Sequence, residues 1–570
     1  MAKFQKTTKT EEEATGAKGG SFSTSSTTIT KSSVPSSSGK GGNRNGRNRG
    51  SNSNNKGRDS AVGSDSRSGG SLTPFIPNVA SLFRRADMLD AAGSVVFNRP
   101  LGTPITSTVN TKNNIPMPGI YSVPVISTFG YNDSLSSPLN RAAQSAYVYV
   151  RHYNSGSSNY TAADMAIAYM AIDSLNTLLT WAKSIYGIFQ LYSVGNRYLP
   201  DALLEAWGVD AKSWRSNPLN VYSKINQWIA QANALVVPGK FGIFNWHASL
   251  MQAIYTDSPD PRCQFYVFRP RIYYMYTPME AGKAGYLKAE PIPENLTFAQ
   301  FELIITSMLN ALFYNEDVGI ICGDTMKAFN GDVFQVSQLT QDHWVPAVYV
   351  PTVLTMLANS TPMREDSLSY ASWSTLNLEQ SDNGMLLSRP TLKVSPTSGE
   401  VPGVSDFALV DAGLESASPD YVMLATRLAI VAETKADTGD VPLKYVGSDI
   451  VLEGDIYYLE PGSNGLLQTN HVHVPSTYID GQPASDLPDL LHLYSKFNMA
   501  PRIRLYNAED SGHFYTKGWL GDLTNPGVAD LTVMANLAME SWQALYAVPL
   551  WGNFGGGATK AKDGGKKGSA

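Results

Sequence analysis

The side chains whose types and spacing could do chemistry are few and scattered. His471-Val-His473 would set two imidazoles on one face of a strand, a pattern that suits a metal ion. No cysteine or carboxylate stands at a familiar ligand distance from the pair, so they read as ordinary surface or packing histidines. Glu316-Asp317 and Asp324 are candidates for paired-acid work. At a helix start the same residues would complement the dipole or cap free amides, and that is the simpler reading. Cys322 lies in an apolar run, which describes a buried, inert thiol better than a nucleophile. The chain has only two cysteines, Cys263 and Cys322, enough for one bridge and for no zinc spacing, as fits a reducing compartment. It contains no Gly-x-Ser-x-Gly elbow, Walker A loop, His-Glu-x-x-His helix or Gly-x-Gly-x-x-Gly turn between strand and helix. These observations assign no catalytic, cofactor or metal residue, and they argue against an enzyme.

Charge is a stronger signal than any motif. The formal net charge is −5 over 570 residues, but it is unevenly spread. Met1 to Leu72 carries 12 Lys/Arg against 5 Asp/Glu, a net of +7. Phe554 to Ala570 carries 4 against 1, a net of +3, which leaves −15 for Thr73 to Asn553. An acidic body therefore bears two basic tails, as expected when tails meet a polyanion and the body does something else. Residues 1–72 are rich in Ser, Gly, Asn, Lys and Arg and poor in large apolar side chains, so the expectation is a basic arm that is disordered when free. Between Ala14 and Arg58 it has no acidic residue and eight basic ones, Lys18, Lys31, Lys40, Arg44, Arg47, Arg49, Lys56 and Arg58. Such residues neutralise phosphates without reading sequence. If all eight engaged duplex RNA, the salt slope would reach about −7. A merely solubilising tail is the plainer alternative.

The body must come from helices and strands long enough to bury a large core, since 42% of the residues are hydrophobic. Order is expected to begin near Thr73 to Phe97, and the chain turns helical from Asn140. Thr161-Ala-Ala-Asp164 has the form of a capping box. Behind it Met165, Tyr169, Ile172, Leu175, Leu179, Ala182, Tyr186 and Phe189 predict one amphipathic helix of about seven to nine turns. Asn217-Pro218 opens a second helix with Leu219, Tyr222, Ile225, Ile229 and Leu235 on one face. Thr297-Phe-Ala-Gln300 caps a third, with Phe301, Ile305, Met308 and Leu312 inward. Leu531, Met534, Leu537, Trp542 and Leu545 mark a last one. With Thr161 and Thr297 used as caps, the glycosylation-like Asn159-Tyr-Thr161 and Asn295-Leu-Thr297 are chance matches.

From Gln341 to Asp486 Pro, Gly, Ser and Thr become frequent and the helical period fades. Ile450 to Leu459 and His471 to Val474 predict strands. The expected fold is therefore α+β, a predominantly α-helical body split by a more β- and loop-rich insertion. Met1 to Gly20 lacks the apolar core of a secretory signal. The nearest approach to a membrane span, Trp344 to Ala358, is interrupted by Pro346 and Pro351, so no stable membrane insertion is expected and a soluble, intracellularly made protein is. The Tyr-rich stretches Tyr147, Tyr149, Tyr153, Tyr160 and Tyr266, Tyr273, Tyr274, Tyr276 would serve either as core or as subunit interface. A basic arm, an acidic aromatic body and no catalytic motif fit a shell-forming protein whose arm faces its cargo. A nucleoprotein coating single strands is the alternative, and a soluble enzyme of unfamiliar type is the third reading.

Three segments stand out: Asn315-Glu-Asp-Val-Gly-Ile-Ile-Cys-Gly-Asp324 with Lys327-Ala328-Phe329, Arg197-Tyr198-Leu-Pro200 with Leu203 and Gly208, and the helix Ala163 to Tyr192. Together they resemble picobirnavirus capsid proteins. The resemblance runs over about Asn140 to Trp344 and more weakly from Tyr421 to Pro549. It implies the coat of a non-enveloped double-stranded RNA virus, a virion component assembled in the host-cell cytoplasm. The implied partners are further copies of the chain, as homodimers within a small icosahedral shell, and viral RNA. It implies a helical shell domain, mapped onto residues 73–340 and 487–553, and a protruding domain, mapped onto 341–486, between the arm (1–72) and a flexible tail (554–570). It also raises loss of an N-terminal piece by self-cleavage, although no nucleophile–base pair in the chain marks a place for it.

Overall fold

The computed structural model describes residues 118–546 apart from short internal segments, the longest of which is 394–406. The expected arm, the expected onset of order near Thr73 to Phe97 and the basic tail lie outside the described residues. Those described belong to one unit, Leu89–Ala570.

The helices that matter to the argument are α1 (Pro138–Tyr153), α2 (Ala162–Ile188), α3 (Tyr198–Ala206), α4 (Pro218–Ala232), α5 (Gly242–Met251), α6 (Phe298–Phe313), α7 (Glu316–Ala328), α8 (Pro351–Ala358) and α9 (Leu531–Leu545). The start of α2 forms as its sequence predicts. Thr161 Oγ1 accepts from the Asp164 N–H at 3.3 Å, and the Asp164 carboxylate accepts from the Thr161 N–H at 2.8 Å. At 27 residues the helix is about 40 Å long.

The expected amphipathicity of α2 is wrong. Ala166, Ile167, Ala168, Met170, Ala171 and Leu178 fill the face opposite the predicted stripe, so the helix is buried nearly all round, with α1, α4, α5 and α6 packed against it. A helix apolar on every face belongs in a core rather than on a surface. Three of its buried hydroxyls are bonded: Thr177 donates to the Asp173 carbonyl and Thr180 to that of Asn176 within the helix, and Ser184 donates to that of Met251 at the end of α5.

The other helix starts are also as expected. Asn217 accepts from the Asn220 N–H with Pro218 in the first turn, and Thr297 and Gln300 form a reciprocal box. Phe301, Ile305, Met308 and Leu312 point inward. On α4 the buried face is Val221, Ile225, Trp228, Ile229 and Ala232, while Leu219, expected inside, is 71% exposed. The orientation is set by Trp228, whose ring lies 5.9 Å from both Phe298 and Phe301 of α6. One bulky aromatic contact outweighs one leucine in fixing the helix's rotation.

The strands are β1 (Pro118–Ser127), β2 (Ile254–Thr256), β3 (Phe265–Pro270), β4 (Ile272–Thr277), β5 (Tyr286–Pro291), β6 (Ala347–Val348), β7 (Phe407–Asp411), β8 (Asp449–Val451), β9 (Gly454–Pro461), β10 (Leu467–Val474) and β11 (Pro526–Asp530), with further short strands between them. Seven form one mixed sheet in the order β10-β9-β1-β3-β2-β6, with β8 also on β1. β1 runs parallel to β3, with Val123 opposite Phe268, and antiparallel to β8, with Ser127 opposite Asp449. β4 and β5 form a separate antiparallel pair. The strands expected at Ile450 to Leu459 and His471 to Val474 are present, and the segment from 341 onward is strand- and loop-rich.

Residues 449–474 thus share a sheet with residues 118–270. A second, smaller apolar cluster, Ala408, Val410, Ala425, Ala429, Val431, Ala529 and Met534, joins β7 to β11 and α9. No helix among the described residues is long and apolar enough to cross a membrane.

Gly187, near the end of α2, marks a close approach between this helix and a neighbouring backbone. A Cβ there would sit 2.6 Å from the Val345 backbone nitrogen and 3.0 Å from the Trp344 carbonyl carbon. Backbone cannot yield as a side-chain tip can, so Gly187→Ala is expected to cost about 1–3 kcal/mol, the range for overpacking. Thr161→Ala, which removes only the cap, is expected to cost about 1 kcal/mol. Urea unfolding of the two variants checks both the values and their order.

Candidate functional site

None of the residues singled out in the described part forms a catalytic constellation. His471 stacks on Tyr457 of β9, with ring centroids 5.3 Å apart. His473 is held instead between two carboxylates, Asp455 at 3.1 Å from Nδ1 and Glu453 at 3.1 Å from Nε2. Hydrogen bonds that its ring N–H groups donate to Asp455 and Glu453 lift the His473 imidazole to about 10. A ring with both nitrogens protonated has no lone pair for a metal. Among the described residues no group of three or more His, Cys, Asp or Glu is arranged to hold one.

Glu316 and Asp317 occupy the first turn of α7 behind the Asn315 cap, as a helix start requires. Asp324 does not join them. It lies two turns along, accepts from the Tyr160 hydroxyl at 2.8 Å and stands 3.5 Å from Arg151, tying the end of α1 to α7. Cys322 is buried, its sulfur accepts from the Val236 N–H, and burial pushes its thiol up. Neither cysteine is in a disulfide. Most of the tyrosines are core: Tyr266 and Tyr274 are buried, Tyr147 packs edge-on to Tyr160, and Tyr149 packs on Phe329. Of the eight, Tyr153 stands out at 49% exposure.

Sequence reasoning missed the most heavily charged part of the core. His247 of α5 is 2% exposed and lies between Asp173 of α2 and Asp449 of β8. Its Nδ1 donates to Asp173 Oδ2, and its Nε2 is 3.2 Å from Asp449 Oδ1. The second Asp449 oxygen accepts from the Trp246 indole at 2.6 Å. Burial alone would lower the His247 imidazole, but the two carboxylates outweigh it and lift the group to about 10. Burial raises the Asp173 carboxyl, against the pull of His247. With no room for a substrate, this is an ion cluster that fastens α2, α5 and β8 together. The signal available in sequence was Asp173 itself, a carboxylate in the middle of an apolar helix, away from Asp164 at the cap and Lys183 in its last turns.

The other unusual feature is apolar surface. Tyr314 (87% exposed) and Phe313 follow or end α6, Leu303 lies on α6, Tyr153 and Val148 on α1, and Met326 on α7. α7 packs on both α1 and α6, so these side chains come from neighbouring elements. Exposed aromatic and aliphatic side chains on adjoining helices are the kind of surface that association between copies would cover.

Comparison with known proteins points the same way. The family model described as Picobirnavirus, Capsid protein matches residues 88–451. A capsid protein precursor of Human picobirnavirus (strain Human/Thailand/Hy005102/-) is 27% identical over 374 residues, 59% of this chain and 65% of the relative. The match thus spans just under two thirds of that relative's length. An X-ray crystallographic structure of the picobirnavirus capsid superposes with a TM-score of 0.70, over 83% of this chain and 98% of that one, at 19% identity, a likeness of fold.

The ion cluster makes stability depend on pH in a defined sense. A histidine raised by folding contributes stability that is full below its ordinary value near 6.5 and is lost as pH rises through the folded value of about 10. The melting temperature of the wild-type chain is therefore expected to fall between about pH 8 and 10. His247→Gln strands two buried carboxylates and is expected to cost about 3–5 kcal/mol at pH 7. It should also remove the His247 share of that alkaline slope, leaving the share of His473, likewise raised to about 10, as read by thermal melts across the range.

Proposed function

The chain belongs to the picobirnavirus capsid protein family, and on that premise we propose that it self-associates through dimers into a closed icosahedral shell around viral RNA. The observation that carries the RNA half of this reading is the separation of charge. A body of net −15 repels a polyanion, whereas residues 14–58 offer eight cations and no carboxylate. Lys18, Lys31, Lys40, Arg44, Arg47, Arg49, Lys56 and Arg58 contact phosphates, without sequence preference, from the inner side of the shell. Self-repulsion among arms falls when RNA neutralises them, which couples packaging to closure.

The apolar surface of α1, α6 and α7 supports the assembly half. A symmetric shell repeats a modest contact many times, so each contact can be weak. In this reading residues 73–340 and 487–553 build the shell and 341–486 supply the projection. Strands 449–474, anchored beside β1, form its root, and the projecting surface comes from the rest of the segment. The protein acts as a structural component of the virion rather than as an enzyme, and it assembles in the host-cell cytoplasm.

Electron microscopy of the purified chain, with absorbance at 260 and 280 nm on the same fraction, tests this reading. Uniform closed particles with excess 260 nm absorbance are expected. Open filaments would favour a nucleoprotein, and small discrete oligomers at every salt and pH would overturn the capsid reading. A chain lacking residues 1–72 is expected to lose the packaged 260 nm signal. Its affinity for duplex RNA should lose most of a salt slope that reaches about −7 when all eight arm cations engage. Equal packaging with and without the arm would remove its proposed role.

A further inference from the structure

A cleft of about 870 Å³ opens beside α5, β6 and α8. That is within the range, about 300–1,000 Å³, in which clefts take up a compact apolar group. Trp246, Phe334, Val348, Val350, Val353 and Met356 supply most of its apolar lining. Lys183 donates from its edge to the Ser337 carbonyl and hydroxyl oxygens, both at 2.6 Å. One wall is a single stripe of α5, Asn245, Trp246, Ser249 and Gln252.

Gly242 starts the same helix, one turn before Asn245 and Trp246, and lies beside the end of the last helix. A Cβ on Gly242 would lie 3.6 Å from the Leu545 Cα. The described chain stops one residue later, at Tyr546. The polypeptide therefore leaves α9 beside the start of the helix that supplies this wall.

The residues just beyond Tyr546 differ in character from the rest of the tail. Ala547-Val-Pro-Leu-Trp-Gly-Asn-Phe554 holds Val548, Pro549, Leu550, Trp551 and Phe554 within eight residues, and only after it come Gly555-Gly-Gly557 and the lysines. Leaving leucine, tryptophan and phenylalanine in water is unfavourable in proportion to the apolar area exposed. Eight extended residues reach about 26–29 Å, and the ten-residue α5 is only about 15 Å long. β6, which lines the cleft through Val348, is the last strand of the sheet among the described residues, and such an edge offers backbone groups to an extended segment. We propose that residues 548–554 of the same chain occupy this cleft as an apolar clasp, with Trp551 as its anchor, and that the Gly-rich basic tail starts where the clasp ends.

Amide hydrogen exchange read by mass spectrometry on the full chain tests the clasp. In the wild type, amides of 548–554 are expected to exchange at least 100-fold more slowly than those of 555–570. Ala248→Arg, which places a charge in the cleft wall, and Trp551→Ala, which leaves the described body untouched, should each abolish that difference while α2 stays protected. Equal, fast exchange of 548–554 and 555–570 in the wild type would overturn the proposal. So would protection that survives both substitutions, since the segment would then be held elsewhere. A Ser249→Cys/Leu550→Cys pair in a Cys263→Ser background identifies the donor of the segment. A bridge within one chain on a non-reducing gel supports the clasp, whereas a bridged dimer would assign the cleft to a neighbour's tail and sink the same-chain assignment.

Discussion

The buried contact of His247 with Asp173 and Asp449 constrains the structure more than any other, because each partner comes from a different part of the chain. Charges taken out of water are costly unless they are paired with good geometry. Asp173 sits midway along a helix enclosed on every side, so it cannot turn to solvent. Its counter-charge has to be delivered by α5, and the remaining imidazole nitrogen faces β8. Asp449 in turn pairs across the sheet with Ser127 of β1. Docking of α2 therefore constrains where the sheet can lie, and the sheet constrains where the later half of the chain can lie.

That constraint helps explain how the body and the segment beginning near residue 341 are joined. β8, β9 and β10 lie on the same sheet as β1 and β3, with Val125 opposite Val451 and Tyr121 opposite Ile456. Arg269 of β3 reaches across to Glu294 at 2.7 Å and approaches Asp455 at 3.7 Å, adding a charged tie on the same strands. A shared sheet joins the two through backbone hydrogen bonds that side-chain changes leave in place.

The outer surface obeys a different logic. Inside, Phe301 packs edge-to-face on Trp181 of α2 and at a tilt on Trp214. Outside, Tyr314, Phe313 and Leu303 are left in water. A monomer gains nothing from that exposure, whereas a protein whose working form is many copies loses it on assembly. In the proposed assembly the acidic body and the basic arm divide the labour, with apolar contacts between copies and electrostatic contacts to the cargo.

Local chemistry was readable from the sequence wherever a few consecutive residues decide the outcome. Thr161 with Asp164, Thr297 with Gln300 and Asn217 with Pro218 start helices because a side-chain oxygen satisfies an amide three residues on, and no distant residue is needed. The inward row Phe301, Ile305, Met308 and Leu312 was legible for the same reason, as was the charge of the arm, which is a sum and needs no fold. The family resemblance rested on comparable local stretches around Asn315 and Ala163. What surrounds each element was decided only by tertiary structure. Periodicity reports which residues share a face but not how many faces will be covered, so α2 read as amphipathic although it is enclosed, and Leu219 read as core although Trp228 turns it outward. Pairings across long separations were invisible for a related reason. Asp173, His247 and Asp449 are three ordinary residues until the sheet and two helices bring them together, and only then does the cost of burying charge select one arrangement.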